Sequence, residues 1–310
     1  MPDVVRAGVV GVGALGRQHA RVWAGAPDAT LAGVYDTDAS RAAVVAGERG
    51  CRAYPDLGSL LAETDAVSVA VPTVFHHEVA CRALAAGCSV LVEKPITATL
   101  AEADDLVARA VARGAILQVG HIERFNPATA ALLTAGRGAR FVEVHRLGSF
   151  SPRSLDVDVV LDLMVHDLDI VLALDGSDPV QIEAVGVPVL TPRVDIANAR
   201  LRFASGLIAN LTASRVSLEK VRKFRVFAPR TYVSADFTAR EAQIYRLEGD
   251  EGTPRIASTR QGAPDQEPLR LQIEAFARAV RDRSEPLVTG DDGRRALALA
   301  LAILERVAEH

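Results

Sequence analysis

The stretch from Val4 to Asp36 constrains the fold most. An apolar run, Val4 to Val10, opens directly into Gly11-Val12-Gly13-Ala14-Leu15-Gly16, and Arg17 to Ala24 then has helical character. Strand, tight turn and helix are the context in which glycines at this spacing cradle a pyrophosphate. Gly11 permits the turn, Gly13 leaves the backbone open to phosphate, and Gly16 lets helix and strand pack closely. The free amides of the first helical turn, around Ala14 and Leu15, favour an anion. A second strand, Leu31 to Tyr35, ends in Asp36, at about the 20-residue distance of an acid that grips ribose hydroxyls. Its charge would repel a 2′-phosphate, so NAD is expected over NADP. Arg41 could soften that repulsion, although a helix-surface arginine is the simpler reading.

The alternation continues. Asp65 to Val71 reads as a strand closed by Pro72-Thr73, and Phe75 to Ala86 as a helix ending at Gly87. Val90 to Val92 is an apolar strand that runs into Glu93-Lys94-Pro95. Leu100 to Arg113 is helical with a Gly114 stop, and Ala115 to Val119 is one more strand. Repeated right-handed crossovers give a doubly wound parallel sheet whose ligand edge lies at the strand ends. Gly11, Asp36, Pro72-Thr73, Glu93-Lys94 and Gly120-His121 all fall on that edge. Pro95 denies Lys94 the helical basin and holds it extended where the strand stops. Two readings follow for this lysine: a solvated surface charge, or a desolvated amine poised as a general acid or base.

At 310 residues the chain exceeds what one core usually organises, and two domains are expected, over 1–120 and 121–310. Beyond Gly120 a strand-like run over 140–147 is followed by a helix over 156–174, and then strand-like runs (180–189, 199–203, 207–213, 221–227 and 243–247) follow one another without intervening helices. They predict an α+β domain with a mostly antiparallel or mixed sheet faced by helices. The Gly-, Pro- and charge-rich 249–267 reads as a loop or an exposed excursion, and helices over 269–283 and 294–308 close the chain and pack back on the body, with the first domain open to them. On a helix predicted over 156–174, Asp162, His166 and Asp169 recur at i, i+4 and i+7, which places them on one face. Carboxylates beside an imidazole can fix its tautomer and raise its basicity, so His166 is a candidate functional base. A divalent metal on the same three residues competes, but no other histidine-carboxylate pair has matching spacing, and no metal is expected.

A net charge of -4 argues against a nucleic-acid partner. Three cysteines, Cys51, Cys81 and Cys88, form no disulfide framework or C-x-x-C clip and read as small buried residues in a reduced compartment. Met1-Pro2-Asp3 has no basic n-region, and no run reaches the roughly 18 apolar residues of a membrane helix, so a cytoplasmic protein is expected.

On these residues the chain resembles the glucose-fructose oxidoreductase, inositol dehydrogenase and rhizopine-catabolism (Gfo/Idh/MocA) family. The likeness rests on Gly11 to Gly16, Pro72-Thr73 with His76, Glu93-Lys94-Pro95, the Asp162-x-x-x-His166-x-x-Asp169 helix, Glu274-Ala275-Phe276 and Asp292-Gly293. It spans nearly the whole chain. It implies an NAD-dependent oxidoreductase acting on a secondary alcohol of a sugar or polyol. It also implies that Lys94 and His166 handle the proton, without deciding which is the principal base, and that Asp162 helps place the substrate. Cofactor contacts are implied at Gly11, Gly13, Ala14, Leu15, Gly16, Asp36, Pro72, Thr73, His76, Glu93 and Lys94.

A narrower similarity, in Gly120 to Pro127 and Asp162 to Asp167, is to members that act at C3 of UDP-N-acetylglucosamine. It makes His121 and Arg124 candidates for substrate contact alongside Lys94, Asp162 and His166. Arg124 could grip a diphosphate bidentately or form a domain-hinge salt bridge. One departure is Met164, where many members have glycine, which puts in doubt how closely a nicotinamide or sugar ring approaches. The alternatives are an inositol or free-sugar dehydrogenase and, in another class, a non-catalytic dinucleotide-binding sensor. A homo-oligomer, dimer or tetramer, is expected to form through the C-terminal sheet.

Overall fold

The computed structural model describes residues 4–150, 157–249 and 253–309. Met1-Pro2-Asp3, the predicted helix start at Asp156 and the beginning of the 249–267 stretch therefore lie outside the described residues. The chain divides into two compact units, Met1–Ile122 with Pro268–Arg294, and Glu123–Glu267 with Arg295–His310.

The first unit runs β1 (Val5–Val10), α1 (Ala14–Ala24), β2 (Ala29–Tyr35), α2 (Ala39–Arg49), β3 (Arg52–Ala53), α3 (Leu57–Ala62), β4 (Ala66–Val69), α4 (His76–Ala85), β5 (Ser89–Glu93), α5 (Leu100–Arg113) and β6 (Leu117–Gly120). The strands form a six-stranded sheet, all parallel, in the order β3-β2-β1-β4-β5-β6. Every residue of β4 and β5 is buried, as continuous apolar strands covered on both faces must be. The order reverses between β1 and β4, and a crevice opens beyond the carboxyl ends of these strands. Local chemistry sets the helix ends. Thr99 and Glu102 form a reciprocal capping box at the start of α5, and Gly114 closes that helix in the left-handed conformation.

Helix α8 (Pro268–Asp282) belongs to the first unit, where the Phe276 ring meets Trp23 of α1 edge-on at 6.1 Å. Gln118 on β6 donates through Nε2 to the carbonyl of Gln272 at 3.3 Å.

The second unit contains α6 (Pro127–Ala135), β7 (Phe141–Leu147), a π-helical turn over Val160–Met164 and α7 (Val165–Asp175). Strands β8 (Pro179–Val187), β9 (Ile196–Phe203), β10 (Ile208–Ser214), β11 (Val221–Ala228), β12 (Thr231–Asp236), β13 (Glu241–Glu248) and β14 (Arg255–Gly262) follow, with the later part of α9 (Gly290–Ala308). The eight-stranded sheet has the order β14-β13-β12-β11-β7-β10-β9-β8 and is mixed, since β7 and β10 pair in parallel and the remaining neighbours are antiparallel. Strand alternation sends Val142, Val144, Leu201, Leu211, Phe224, Val226, Val233 and Ile244 into a core shared with Leu132, Met164, Leu168 and Ile303 of the helical layer.

Three readings are corrected here. Within the 249–267 stretch Arg255–Gly262 is a strand, because β14 pairs with β13 along its length although nearly all its side chains are exposed. An edge strand whose side chains stay in solvent leaves little hydrophobic signature. Cys51 and Cys81 are half-exposed, and only Cys88 is buried. The helix expected over 156–174 is, among the described residues, a π-helical turn over Val160–Met164 followed by α7, whose residues Val165 to Leu172 are all buried.

Candidate functional site

The glycine turn is built around one left-handed residue and one close approach. Gly11 has φ +81°, and a Cβ there would meet Val71 Cγ1 at 2.7 Å and the Ala70 carbonyl oxygen at 2.9 Å. A Cβ on Gly16 would collide with the Gly11 carbonyl. Gly13 differs from both. Its φ of -64° suits any residue, and a Cβ there would meet no protein atom within 4 Å. The fold does not need glycine at this position; the open space is a cradle that a Cβ would fill, at the amino end of α1, where free amides attract an anion. Beside it, Asp36 is buried, and its carboxylate accepts from the Val12 amide at 2.8 Å and the Asp38 amide at 2.9 Å. Arg41 lies 3.4 Å from both Asp36 oxygens and 3.2 Å from Asp38, so it faces the acid more directly than a helix-surface arginine would. Val12, Gly13, Ala14, Arg17, Asp38 and Arg41 line a pocket of about 430 Å³. The residues present fit a dinucleotide with free ribose hydroxyls.

Farther along the same edge, β5 ends at Glu93 and hands the chain to half-buried Lys94, whose bond to Pro95 is cis. The Glu93 carboxylate is buried and accepts at Oε1 from the fully buried His19 of α1, 3.0 Å away. Its Oε2 faces the Lys94 amide at 3.3 Å. Gly120 on β6 leaves the room this requires, since a Cβ there would stand 2.8 Å from the Glu93 carboxylate. His76 bridges two carbonyls, with Nδ1 2.9 Å from Pro95 O and Nε2 3.0 Å from Val71 O. Burial pushes its imidazole pKa down, so the ring is neutral and donates through one nitrogen at a time. Glu93 and His76 were both expected to touch a cofactor. The structure uses their side chains inward, as ties that hold the Lys94 turn to α1 and to the segment after β4. Pro72 is exposed and Thr73 half-exposed on that segment.

In the second unit, the π turn carries half-buried Asp162, and α7 begins with Val165 and buried His166. The same unit holds a network that the sequence did not reveal. Arg146 on β7 donates from Nε and Nη2 to the two oxygens of Asp167, both at 2.7 Å, and from Nη1 to Glu123 at 3.0 Å. Glu123 also accepts from Asn126 at 3.0 Å. Burial opposes the Arg146 charge, but Asp167 and Glu123 outweigh it and hold the guanidinium firmly protonated. The available signal was an arginine at an inward position of a strand whose other inward residues are Val142 and Val144.

Asp169 pairs with Arg124 Nη1 at 3.2 Å. Asp169, the last member of the expected polar row, is thus engaged by an arginine, and Arg124 is not an uncommitted fork for a diphosphate. His121 is buried, its amide bonded to the Val119 carbonyl at 2.8 Å. Met164 is fully buried in the hydrophobic core of its unit, where its side chain is taken up by packing.

Among known proteins, a family model described as an oxidoreductase family with an NAD-binding Rossmann fold (GFO_IDH_MocA) matches residues 5–121. The GFO/IDH/MocA C-terminal domain model matches residues 137–234. The UDP-N-acetylglucosamine 3-dehydrogenase of Acidithiobacillus ferrooxidans is 45% identical over 303 residues, covering 96% of each chain. A solved structure of that enzyme aligns with a TM-score of 0.91 at 43% identity, covering 98% of this chain and 97% of the other. The inositol 2-dehydrogenase of Rhizobium meliloti is 29% identical over 322 residues, covering 98% of this chain and 97% of its own.

Proposed function

The chain belongs to the GFO/IDH/MocA oxidoreductase family, and on that premise we propose that it oxidises the C3 hydroxyl of a UDP-linked N-acetyl amino sugar. It is an NAD-dependent dehydrogenase acting on CH–OH groups. The observation that carries the substrate is the 45% identity to the UDP-N-acetylglucosamine enzyme, which extends across both units. The hydride-accepting chemistry is that of NAD when bound. Gly11, Gly13 and Gly16 with the Ala14 and Leu15 amides hold the pyrophosphate, and Asp36 holds the ribose hydroxyls. Pro72 and Thr73 flank the cofactor.

The chain's own chemistry is proton removal. Either Lys94 Nζ or the His166 imidazole takes the one hydroxyl proton as the carbon loses its hydride to the nicotinamide and the carbonyl forms. Glu93, His19 and His76 act on Lys94 by fixing its turn. Asp162 positions the substrate, and the buried Arg146 with Asp167 and Glu123 fixes the start of α7. His121 and Arg124 complete the substrate side of the site, Arg124 through its pairing with Asp169.

The test compares UDP-N-acetylglucosamine, free N-acetylglucosamine and myo-inositol as reductants of NAD, with the oxidised carbon located by NMR. Only the sugar nucleotide should turn over efficiently, because binding energy from the remote nucleotide can be used to hold the reacting carbon. Equal or faster reduction by inositol or the free sugar would overturn the sugar-nucleotide reading. The full-length likeness to inositol 2-dehydrogenase, and the engagement of Arg124 by Asp169, favour that second reading.

We also propose a homo-oligomer formed through the helix-free face of the eight-stranded sheet. Phe141, Phe227, Tyr232 and Tyr245 are successive cross-strand neighbours there, with ring centroids 5.6, 4.9 and 5.8 Å apart. A partly exposed aromatic row of this kind suits an interface. Light scattering should give more than one subunit for the wild type and a smaller species for Tyr232→Asp.

A further inference from the structure

A second cluster of ligating side chains stands on the outer helices of the first unit. His77 and Cys81 are four residues apart on α4, so they project from one helix face. Asp105 of α5 reaches them from the neighbouring helix, its Oδ2 2.7 Å from His77 Nε2 and 3.8 Å from Cys81 Sγ. One ligand atom from each residue lies within 4.8 Å of the others, and all three side chains are partly open to solvent.

We propose that His77, Cys81 and Asp105 bind a zinc-class divalent cation, with solvent as the fourth ligand. One imidazole, one thiolate and one carboxylate make a borderline-soft donor set of the kind zinc takes in tetrahedral sites. Metal–ligand bonds of about 2.0 to 2.3 Å place tetrahedral donor atoms roughly 3.5 Å apart, so side-chain shifts of about 1 Å suffice. The ion would enter where His77 and Asp105 now share a hydrogen bond, leaving the imidazole proton on Nδ1. The Cys81 thiol would release its proton to solvent.

The charges around the cluster set its behaviour. Arg109 and then His77 hold the Asp105 carboxyl down to about 2, so this ligand is already ionised at neutral pH. Burial pushes the Cys81 thiol up, Arg109 opposes that shift, and Asp105 adds to it. Arg109 also donates to Asp105 Oδ2 at 2.7 Å and competes with the cation for it. Because His77 directly follows His76, a bound ion would fasten α4 to α5 just where α4 carries the tie to Pro95.

The experiment titrates cobalt, the spectroscopic substitute for zinc, into the nucleotide-free protein. One equivalent should produce a thiolate-to-cobalt charge-transfer band with tetrahedral visible bands, and zinc should displace it. Cys81→Ser should remove the charge-transfer band, whereas Cys51→Ser should keep it. His77→Ala should weaken binding about 10-fold or more, and Arg109→Ala should tighten it by relieving the competition for Asp105. No charge-transfer band at saturating cobalt, or a band that survives in Cys81→Ser, would overturn the assignment.

Discussion

Gly13→Ala separates what the fold needs from what the cofactor needs. At Gly13 an added Cβ meets no protein atom within 4 Å, and the backbone, at φ -64° and ψ -159°, is extended. The substitution should leave the nucleotide-free protein as stable as the wild type or more stable by about 0.4 to 1 kcal/mol, because alanine narrows the unfolded ensemble. The same methyl occupies the space assigned to the pyrophosphate. An intruding methyl in a fitted site costs about 1 to 3 kcal/mol, which weakens the dissociation constant for NAD roughly 5- to 150-fold. Gly16→Ala is the contrast, because its Cβ collides with the Gly11 carbonyl and the backbone must move, so it should lower the melting temperature even without NAD. Scanning calorimetry on nucleotide-free protein and titration calorimetry with NAD read the two effects separately. Unchanged NAD affinity in a folded Gly13→Ala protein would refute the cradle, and a large loss of apo stability would refute the claim that the space is open.

Other outcomes follow from the same edge of the sheet. Lys94→Met should leave NAD affinity near wild type while lowering turnover roughly 10²-fold or more, and near-normal turnover would remove Lys94 from proton handling. NAD should bind more tightly than NADP because of Asp36, and Arg41→Ala should widen the difference by removing the cation beside that acid; tighter NADP binding in the wild type would sink the assignment. For His76, burial sets the folded pKa below the unfolded value of about 6.5. Its neutral form therefore stabilises the fold above that pH, and the contribution is lost as pH falls below it. Urea unfolding of His76→Gln should show a flatter pH dependence on the acid side of neutrality than the wild type, and identical slopes would contradict the buried neutral imidazole. Arg146→Met leaves Asp167 and Glu123 as buried charges without their partner and should destabilise the protein by about 3 to 5 kcal/mol; a near-neutral effect on unfolding would show that the network relaxes.

The sequence by itself determined the parallel sheet, its ligand edge and the residues that stand on it. The forces involved act within a few residues of one another. Gly11 must turn left, Gly16 must lack a Cβ, Pro95 must keep Lys94 out of the helical basin, and Thr99 with Glu102 must start a helix. Apolar alternation carried most of the second sheet for the same reason, since each strand declares its buried face locally. Tertiary structure alone decided what depends on distant partners. Strand β14 buries almost nothing and exists because β13 offers it hydrogen bonds, and α8 joins the first unit because Phe276 finds Trp23. The periodicity that put Asp162, His166 and Asp169 in one row could not show that Arg124 takes Asp169, or that Arg146 stands between Asp167 and Glu123. It could not show that Asp105 meets His77 and Cys81 either. A polar side chain carries its donors and acceptors in the sequence, but its partner is chosen by the register of strands and helices far along the chain, and that register is settled only when the cores pack.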